Sequence, residues 1–350
     1  MRDHWRLGAL LVALACFVLP SLAGLGVAAS ADDETSEDEG SEQPVGSREE
    51  FRFTDPRITE SSGLVVADGY VVTTNDSGDA ARIYTVDPDT GDTVGTTTYA
   101  DGATDVEALA PAGNREVWVA DIGANAAPRR TVSVTRVPFG PGDEQVDAPS
   151  YDLVYPDNRS RDAESLLIEP GTGRLFVLTK EVFGGALYRA PAELSEDGTN
   201  RLERTGDQRL VGIATDAAFF PDGDHVVVRD YSQAVFYTWP DLEQIGDVVL
   251  PEQPQGEAIA VDAEDRVHIS TEGQDSPVLF LTLPEELRTA LNAPVRDGGP
   301  TIVETPEGFE PPEPDDEQGL TLGPGRVNWL VGGILGLVGL VLLVRALRPR

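Results

Sequence analysis

Short apolar runs alternate with turn residues along most of the chain, and the runs recur in groups of three. Each group opens near an acidic residue, passes through an apolar run and a turn, and enters a second run ending in another acid. The leading acids are Glu60, Glu107, Glu164, Asp216 and Glu257; the trailing acids are Asp76, Asp121, Glu181, Asp230 and Glu272. Within the pairs the spacing is 16, 14, 17, 14 and 15 residues, and successive leading acids are 47, 57, 52 and 41 residues apart. A third run follows in every copy and stops at Pro88, Pro138, Pro191, Pro240 or Pro284. Proline cannot donate to a ladder, so it ends pairing there. Short β-branched runs bounded by Gly, Pro, Asn and Asp predict strands buried on both faces. Several such strands per long repeat predict an all-β chain folded as a β-propeller. Five blades match the five copies; six would require one degenerate copy.

The third copy shows the unit. Strands are predicted over 165–168, 175–179 and 186–190, with the turn Pro170-Gly171-Thr172-Gly173 between the first two and a fourth strand drawn from 201–210. The segment 51–54 precedes the first copy and is predicted to pair into the last blade and close the ring, removing open sheet edges. Residues 301–304 compete for that place.

In an up-down hairpin the start of the first strand and the end of the second share one edge, so both acids of each pair are expected on one rim. The first strand is innermost, which turns its acids toward the central channel. Expected metal ligands are Glu60, Asp105, Glu107, Asp121, Asp162, Glu164, Asp216 and Glu257. Expected ligand-binding groups are Asn75, Asp76 and Asp79 of NDSGD, Asn125 of DIGAN, and Lys180, Glu181, Asp230 and Glu272. Carboxylate and amide oxygens without cysteine select hard cations, above all Ca²⁺. The competing reading is that strand-end acids cap turns and bond backbone N–H groups. Lys180 is expected to pair with Glu181, His225 to be exposed beside its turn, and His268 to pack in a strand. No GxSxG elbow occurs, and no organic cofactor is expected.

Composition narrows the partners. The net charge is −35 and Lys180 is the sole lysine, so nucleic acid, which is bound through clustered Lys and Arg, is not an expected partner. Arg2 and Arg6 precede an apolar stretch over 7–25, and Ala29-Ser30-Ala31 offers a cleavage site, so 1–31 reads as a signal peptide. Cys16, the one cysteine, leaves with it. Residues 32–50 are acidic and expected to be a disordered linker, and 292–325 form a Pro- and acid-rich stalk after a propeller over 51–291. The apolar segment 327–344, in a membrane helix expected over 326–344, is about 27 Å long, enough to span a membrane. Arg345, Arg348 and Arg350 follow, which places a short tail over 345–350 in the cytoplasm and the body outside. Gly332 and Gly336 have the spacing of a weak dimerisation face.

The stretches over 62–87 (ending NDSGDAARIYTVD), 117–125 (VWVADIGAN) and 162–181 (DAESLLIEPGTGRLFVLTKE) resemble secreted β-propeller proteins of actinobacteria. Residues 256–271 (GEAIAVDAEDRVHIST) are similar to propeller domains named for the esterase-like activity of phytase, and also to gluconolactonase, regucalcin-type and NHL-type propellers. The resemblance implies calcium at the ring mouth, with Glu60, Glu107, Glu164, Asp121 and Glu257 as ligand candidates. It departs at Ala124, where many relatives carry an acid, and in lacking a lysine-rich phosphate surface. The expected function is a membrane-anchored extracellular propeller that binds a ligand or protein partner at its acidic mouth. A calcium-dependent phosphoester or lactone hydrolase and a structural cell-surface protein are the alternatives.

Overall fold

Each group of apolar runs folds into an antiparallel sheet, and five such sheets stand around a central channel. The computed structural model describes residues 43–293 apart from 77, 78, 101, 125 and 126. The expected signal peptide over 1–31, the expected stalk from 294 onward, the expected membrane helix with its glycine pair, the expected basic tail and Asn125 lie outside the described residues, as does the competing segment 301–304. Among the described residues no helix is long and apolar enough to cross a membrane.

Blade 1 runs outward from Ser61–Ala67 through Tyr70–Asn75 and Arg82–Val86 to Thr93–Thr98. Blade 2 has Val106–Gly113, Glu116–Asp121, Thr131–Pro138 and Ser150–Val154; blade 3 has Ala163–Ile168, Leu175–Thr179, Leu187–Arg189 and Glu203–Arg204. Blade 4 has Asp216–Phe219, His225–Arg229, Gln233–Thr238 and Gln244–Val249. Blade 5 has Gly256–Val261, Val267–Thr271 and Pro277–Thr282, and its outer strand is Gly46–Arg52 from the other end of the chain. Blades 1 and 2 each gain a parallel edge strand, Gly142–Gln145 and Thr199–Arg201, from the sequence of the following copy. The fourth strand expected within 201–210 is therefore only Glu203–Arg204, because the residues before it are given to blade 2.

The ring closes as the pattern predicts, through the N-terminal segment, but the strand starts at Gly46 and not at Phe51. The acidic residues Glu49 and Glu50 thus lie in a strand and not in the disordered linker expected over 32–50. The reason is a contact distant in sequence. Glu50 Oε2 sits 2.6 Å from His268 Nδ1, and His268 Nε2 sits 2.9 Å from Asp262 Oδ2, so the edge strand is tied to blade 5 by a side-chain chain as well as a ladder. His268 is packed in its strand, as expected.

Each gap between neighbouring blades holds its own apolar cluster. Leu153, Tyr155, Leu166, Val177 and Tyr188 fill the gap between blades 2 and 3. Phe51, Phe53, Leu64, Tyr84 and Val278 fill the gap across the closure. Burying one such side chain contributes roughly 1.5–3 kcal/mol, and strands buried on both faces are what face-to-face blades require. The innermost strand of every blade packs against those of its two neighbours, blade 5 against blade 1 included. A helix, Glu285–Leu291, packs Leu287 against the blade 4 and 5 cluster.

Candidate functional site: the acidic mouth

All five innermost strands begin at the same face, and the ladder register fixes which residues share a layer there. Ser61 pairs with Asn75, Val106 with Asp121, Ala163 with Thr179, Asp216 with Arg229 and Gly256 with Thr271. Just after these pairs, four of the five strands carry one extra residue. Such a bulge leaves its residue out of the ladder and re-aims the side chain. The extra residues are Ser62, Glu107 and Glu164 in blades 1 to 3 and lie within Glu257-Ala258 in blade 5. Blade 4 has no bulge.

The register corrects two expected equivalences: Glu60 stands two positions before the bulge residue Ser62 of its strand, and Asp216 is displaced as well. Glu107, Glu164 and Glu257 fall in one layer with Ser62 and Ala217, whereas Asp216 stands one position earlier. A one-residue offset turns a strand side chain to the other face. The Asp216 carboxylate accepts from Ala217 N at 2.8 Å and from Ile259 N at 2.9 Å, tying blade 4 to blade 5. Burial pushes its pKa well up, more than those two donors and Arg229 lower it. It is a structural acid, and the turn-capping reading holds for it.

The same reading holds at several other positions. Asp121 accepts from Thr104 N and Asp105 N, each at 2.9 Å, and pairs with Arg129. Asn75 accepts from Thr59 N and Glu60 N and donates to Arg57 O and Asp79 Oδ2. Asp79 also accepts from the Tyr84 hydroxyl. Asp230 accepts from Ser232 N and Gln233 N around its turn. Glu181 pairs with Arg209, not with Lys180. His225 is buried, not exposed, and its Nδ1 lies 2.7 Å from Asp222 Oδ2.

What remains at the channel mouth is a compact set of acids. Oxygens of Asp76, Asp105 and Glu107 all lie within 4.8 Å of one another, and so do oxygens of Glu107, Asp162 and Glu164. Glu107 belongs to both sets. Asp105, Glu107, Glu164 and Glu257 are buried. Gly123 lines the first set closely: a Cβ there would strike Glu107 Oε1 and meet Asp105 Oδ2 at 2.5 Å. A side chain at this glycine of DIGAN could enter only by moving those two carboxylates. In the second set Asp162 Oδ1 accepts from Ala124 N at 2.9 Å, so Ala124 contributes its backbone where its side chain cannot.

The counter-charges are few. Lys180 Nζ donates to Glu164 Oε1 at 2.6 Å and to the Tyr231 hydroxyl at 3.0 Å. The wholly buried Arg229 donates to Ala258 O at 3.1 Å and to Gln253 Oε1 at 3.2 Å. Glu257 accepts from Gln255 through one oxygen, and its Oε2 has no hydrogen-bond partner among the described residues although the residue is 5% exposed.

Burial, then the charge of Glu164, then those of Asp76, Asp105 and Asp162 push the Glu107 carboxyl far above the usual carboxylate range. Burial outweighs Lys180 at Glu164, which also rises. Glu257 is raised by burial despite Gln255, Lys180 and Arg229. Glu272, at the half-buried outer edge, is pushed up to about 7 by burial and then by Glu257, Glu60 and Asp76. These acids raise one another because like charges in a desolvated cleft resist ionising together. Arg229, Tyr231, Gln255 and Gly123 are the mouth residues that sequence reasoning did not single out.

No family model matches the chain, and no curated protein matches it. Solved structures resemble it. A glucose dehydrogenase aligns with a TM-score of 0.43 at 10% identity, over 68% of this chain and 100% of that one. A gluconolactonase of Xanthomonas campestris aligns with a TM-score of 0.39 at 15% identity, over 71% of this chain and 90% of that one. At such scores and identities the likeness assigns no chemistry.

Proposed function

We propose that this chain is a cell-surface binding propeller whose acidic mouth takes one divalent cation, Ca²⁺ by the chemistry of its donors, and binds its ligand there. The observation that carries the reading is the position of Glu107. It is buried on a bulge, shared by two groups of converging carboxylates. Glu107 with Asp76 and Asp105, or with Asp162 and Glu164, would hold the ion. All donors are oxygens, the set that hard cations prefer. Two features fit a bound ion: the orphaned Glu257 Oε2 in the same mouth, and the Gly123 surface that any side chain would fill. Once bound, the ion would offset the mutual repulsion and offer open positions to a ligand oxygen. The body stands outside the cell on the stalk over 292–325, anchored by the apolar segment over 326–344.

Calorimetric titration of the full chain with CaCl₂ tests this. Saturable binding that disappears in Glu107→Gln supports the reading, and absence of binding, or binding unchanged in that variant, defeats it.

Glu272 favours a second reading. A half-buried carboxyl titrating near neutrality beside a cation site could serve as the base of a calcium-dependent hydrolase. Turnover of phosphoester or lactone substrates that needs calcium and is lost in Glu272→Gln would establish it.

A further inference from the structure

Among the described residues, the large apolar side chains left in solvent are Val182, Phe183, Ile213 and Tyr231. They are not scattered. Val182 and Phe183 sit in the connection that follows the second strand of blade 3. Ile213 sits in the segment entering the innermost strand of blade 4, and Tyr231 in the turn after that blade's second strand. By the register of these strands, all three connections open on the face that carries the acidic mouth. Phe183 is 95% exposed and Val182 69%.

The backbone fixes this presentation. Ile213 N donates to Glu181 O at 3.0 Å, Gly185 N to Val211 O at 3.2 Å and Leu210 N to Gly185 O at 3.1 Å. Arg209 donates to Gly184 O at 2.9 Å and pairs with Glu181. Gly212 lies so close to Val182 O that a Cβ would meet it at 2.7 Å. Ile213 itself has φ +54°, a left-handed conformation that β-branched residues avoid. Strain of this kind persists where surrounding contacts enforce it, and it clusters at functional positions. Two loops are thus clasped together and hold an aromatic and an aliphatic side chain out into water. Lys180 joins the patch to the mouth, bonding Glu164 on one side and the Tyr231 hydroxyl on the other.

We propose that this rim is a docking platform for a polypeptide segment that carries an aromatic or aliphatic side chain next to a lysine or arginine. The apolar residue covers Phe183 and Val182, and the basic residue reaches the half-buried carboxylate of Glu272 at the mouth. Charge decides the class of partner. A chain of net charge −35 repels anionic lipid headgroups, and the acids beside the patch attract a cationic segment. The proposal rests on the reading of that mouth as a ligand site and names the ligand's class, but it does not require the metal ion.

Panning a displayed library of random dodecapeptides against the full chain tests it, with the double variant Val182→Ser, Phe183→Ser and the single variant Glu272→Lys as counter-targets. Both changes are at accessible side chains, and circular dichroism verifies the fold. Enriched peptides are expected to carry Lys or Arg next to an aromatic or aliphatic residue, and to bind each variant at least tenfold more weakly. Failure to enrich, peptides without a basic residue, or equal binding to the double variant would overturn the proposal. So would wild-type binding to phosphatidylglycerol–phosphatidylcholine vesicles that the double variant loses, since the rim would then face lipid. Calcium titration of the double variant separates the two claims: it should match wild type whatever the peptides do.

Discussion

Glu107 and Glu164 occupy the same bulge position on neighbouring innermost strands, each the extra residue of its strand. After burial, the charge of Glu164 is the largest influence keeping the Glu107 carboxyl protonated. Two glutamates held this way resist ionising together.

Replacing the Glu107 carboxyl, already held neutral, by a neutral amide should cost the cation-free protein little and disable the site. Glu107→Gln is expected to leave the melting temperature of the calcium-free chain unchanged or raise it by about 2–4 °C, the shift for roughly 1 kcal/mol in a domain of this size. The same variant should lose the stabilisation that calcium gives to wild type. Thermal scans with and without CaCl₂ check both.

The raised carboxyls also set a pH dependence. A carboxyl whose pKa rises on folding costs nothing below its unfolded value, about 4.3. It destabilises increasingly as the pH climbs through its folded value. For Glu272 that value is about 7, and Glu107, Glu164 and Glu257 are also displaced upward. The calcium-free chain should therefore lose thermal stability between about pH 5 and about pH 8, and calcium should recover it most at the alkaline end. Melting curves across that range, with chelator or with calcium, measure the effect.

Gly123→Ala should damage the mouth with the ring intact. Its Cβ would collide with the Glu107 and Asp105 carboxylates, and the only way to make room is to displace them. Calcium affinity is expected to fall at least tenfold, about 1.4 kcal/mol. Calorimetry reports the affinity, and an unchanged far-ultraviolet dichroism spectrum reports the fold.

Ring closure should depend on His268. The ring bridges Glu50 on the closing strand and Asp262 in blade 5. Burial raises the Asp262 carboxyl, but His268 and the N–H groups of Arg266 and Glu264 outweigh it, so the pKa is lowered on folding. That stability is present above the ordinary carboxylate range and is lost as the pH falls through the lowered value. His268→Leu is expected to cost about 1–3 kcal/mol and to move acid unfolding to higher pH. Urea titrations at neutral pH and an acid titration give the two numbers.

Much of the architecture is legible in the sequence. The apolar runs, their turns and terminal prolines mark the strands, and the isolated run at Phe51 marks the closure. The start of that strand was not, because Glu49 and Glu50 look like linker until His268 and the ladder supply partners 218 residues away in the case of Glu50. Within the mouth, the acids were visible but their register was not. Aligning Asp216 with Glu107 and Glu164 treats all strands as regular, whereas the bulges add a residue in blades 1, 2, 3 and 5 and not in blade 4. A signal did exist. Asp105-Val106-Glu107, Asp162-Ala163-Glu164 and Gln255-Gly256-Glu257 share an acid-or-amide, small-or-apolar, Glu pattern that Thr215-Asp216-Ala217 breaks. Arg229 left no such trace, since only folding shows that a cation at the end of a strand is wholly buried.

Diffraction from crystals of the chain grown with and without calcium decides whether Glu107 holds a cation. An anomalous peak in contact with Glu107, together with either Asp76 and Asp105 or Asp162 and Glu164, is the result expected. A mouth that stays empty at saturating calcium, with Glu107 and Glu164 joined by a shared proton, would contradict it.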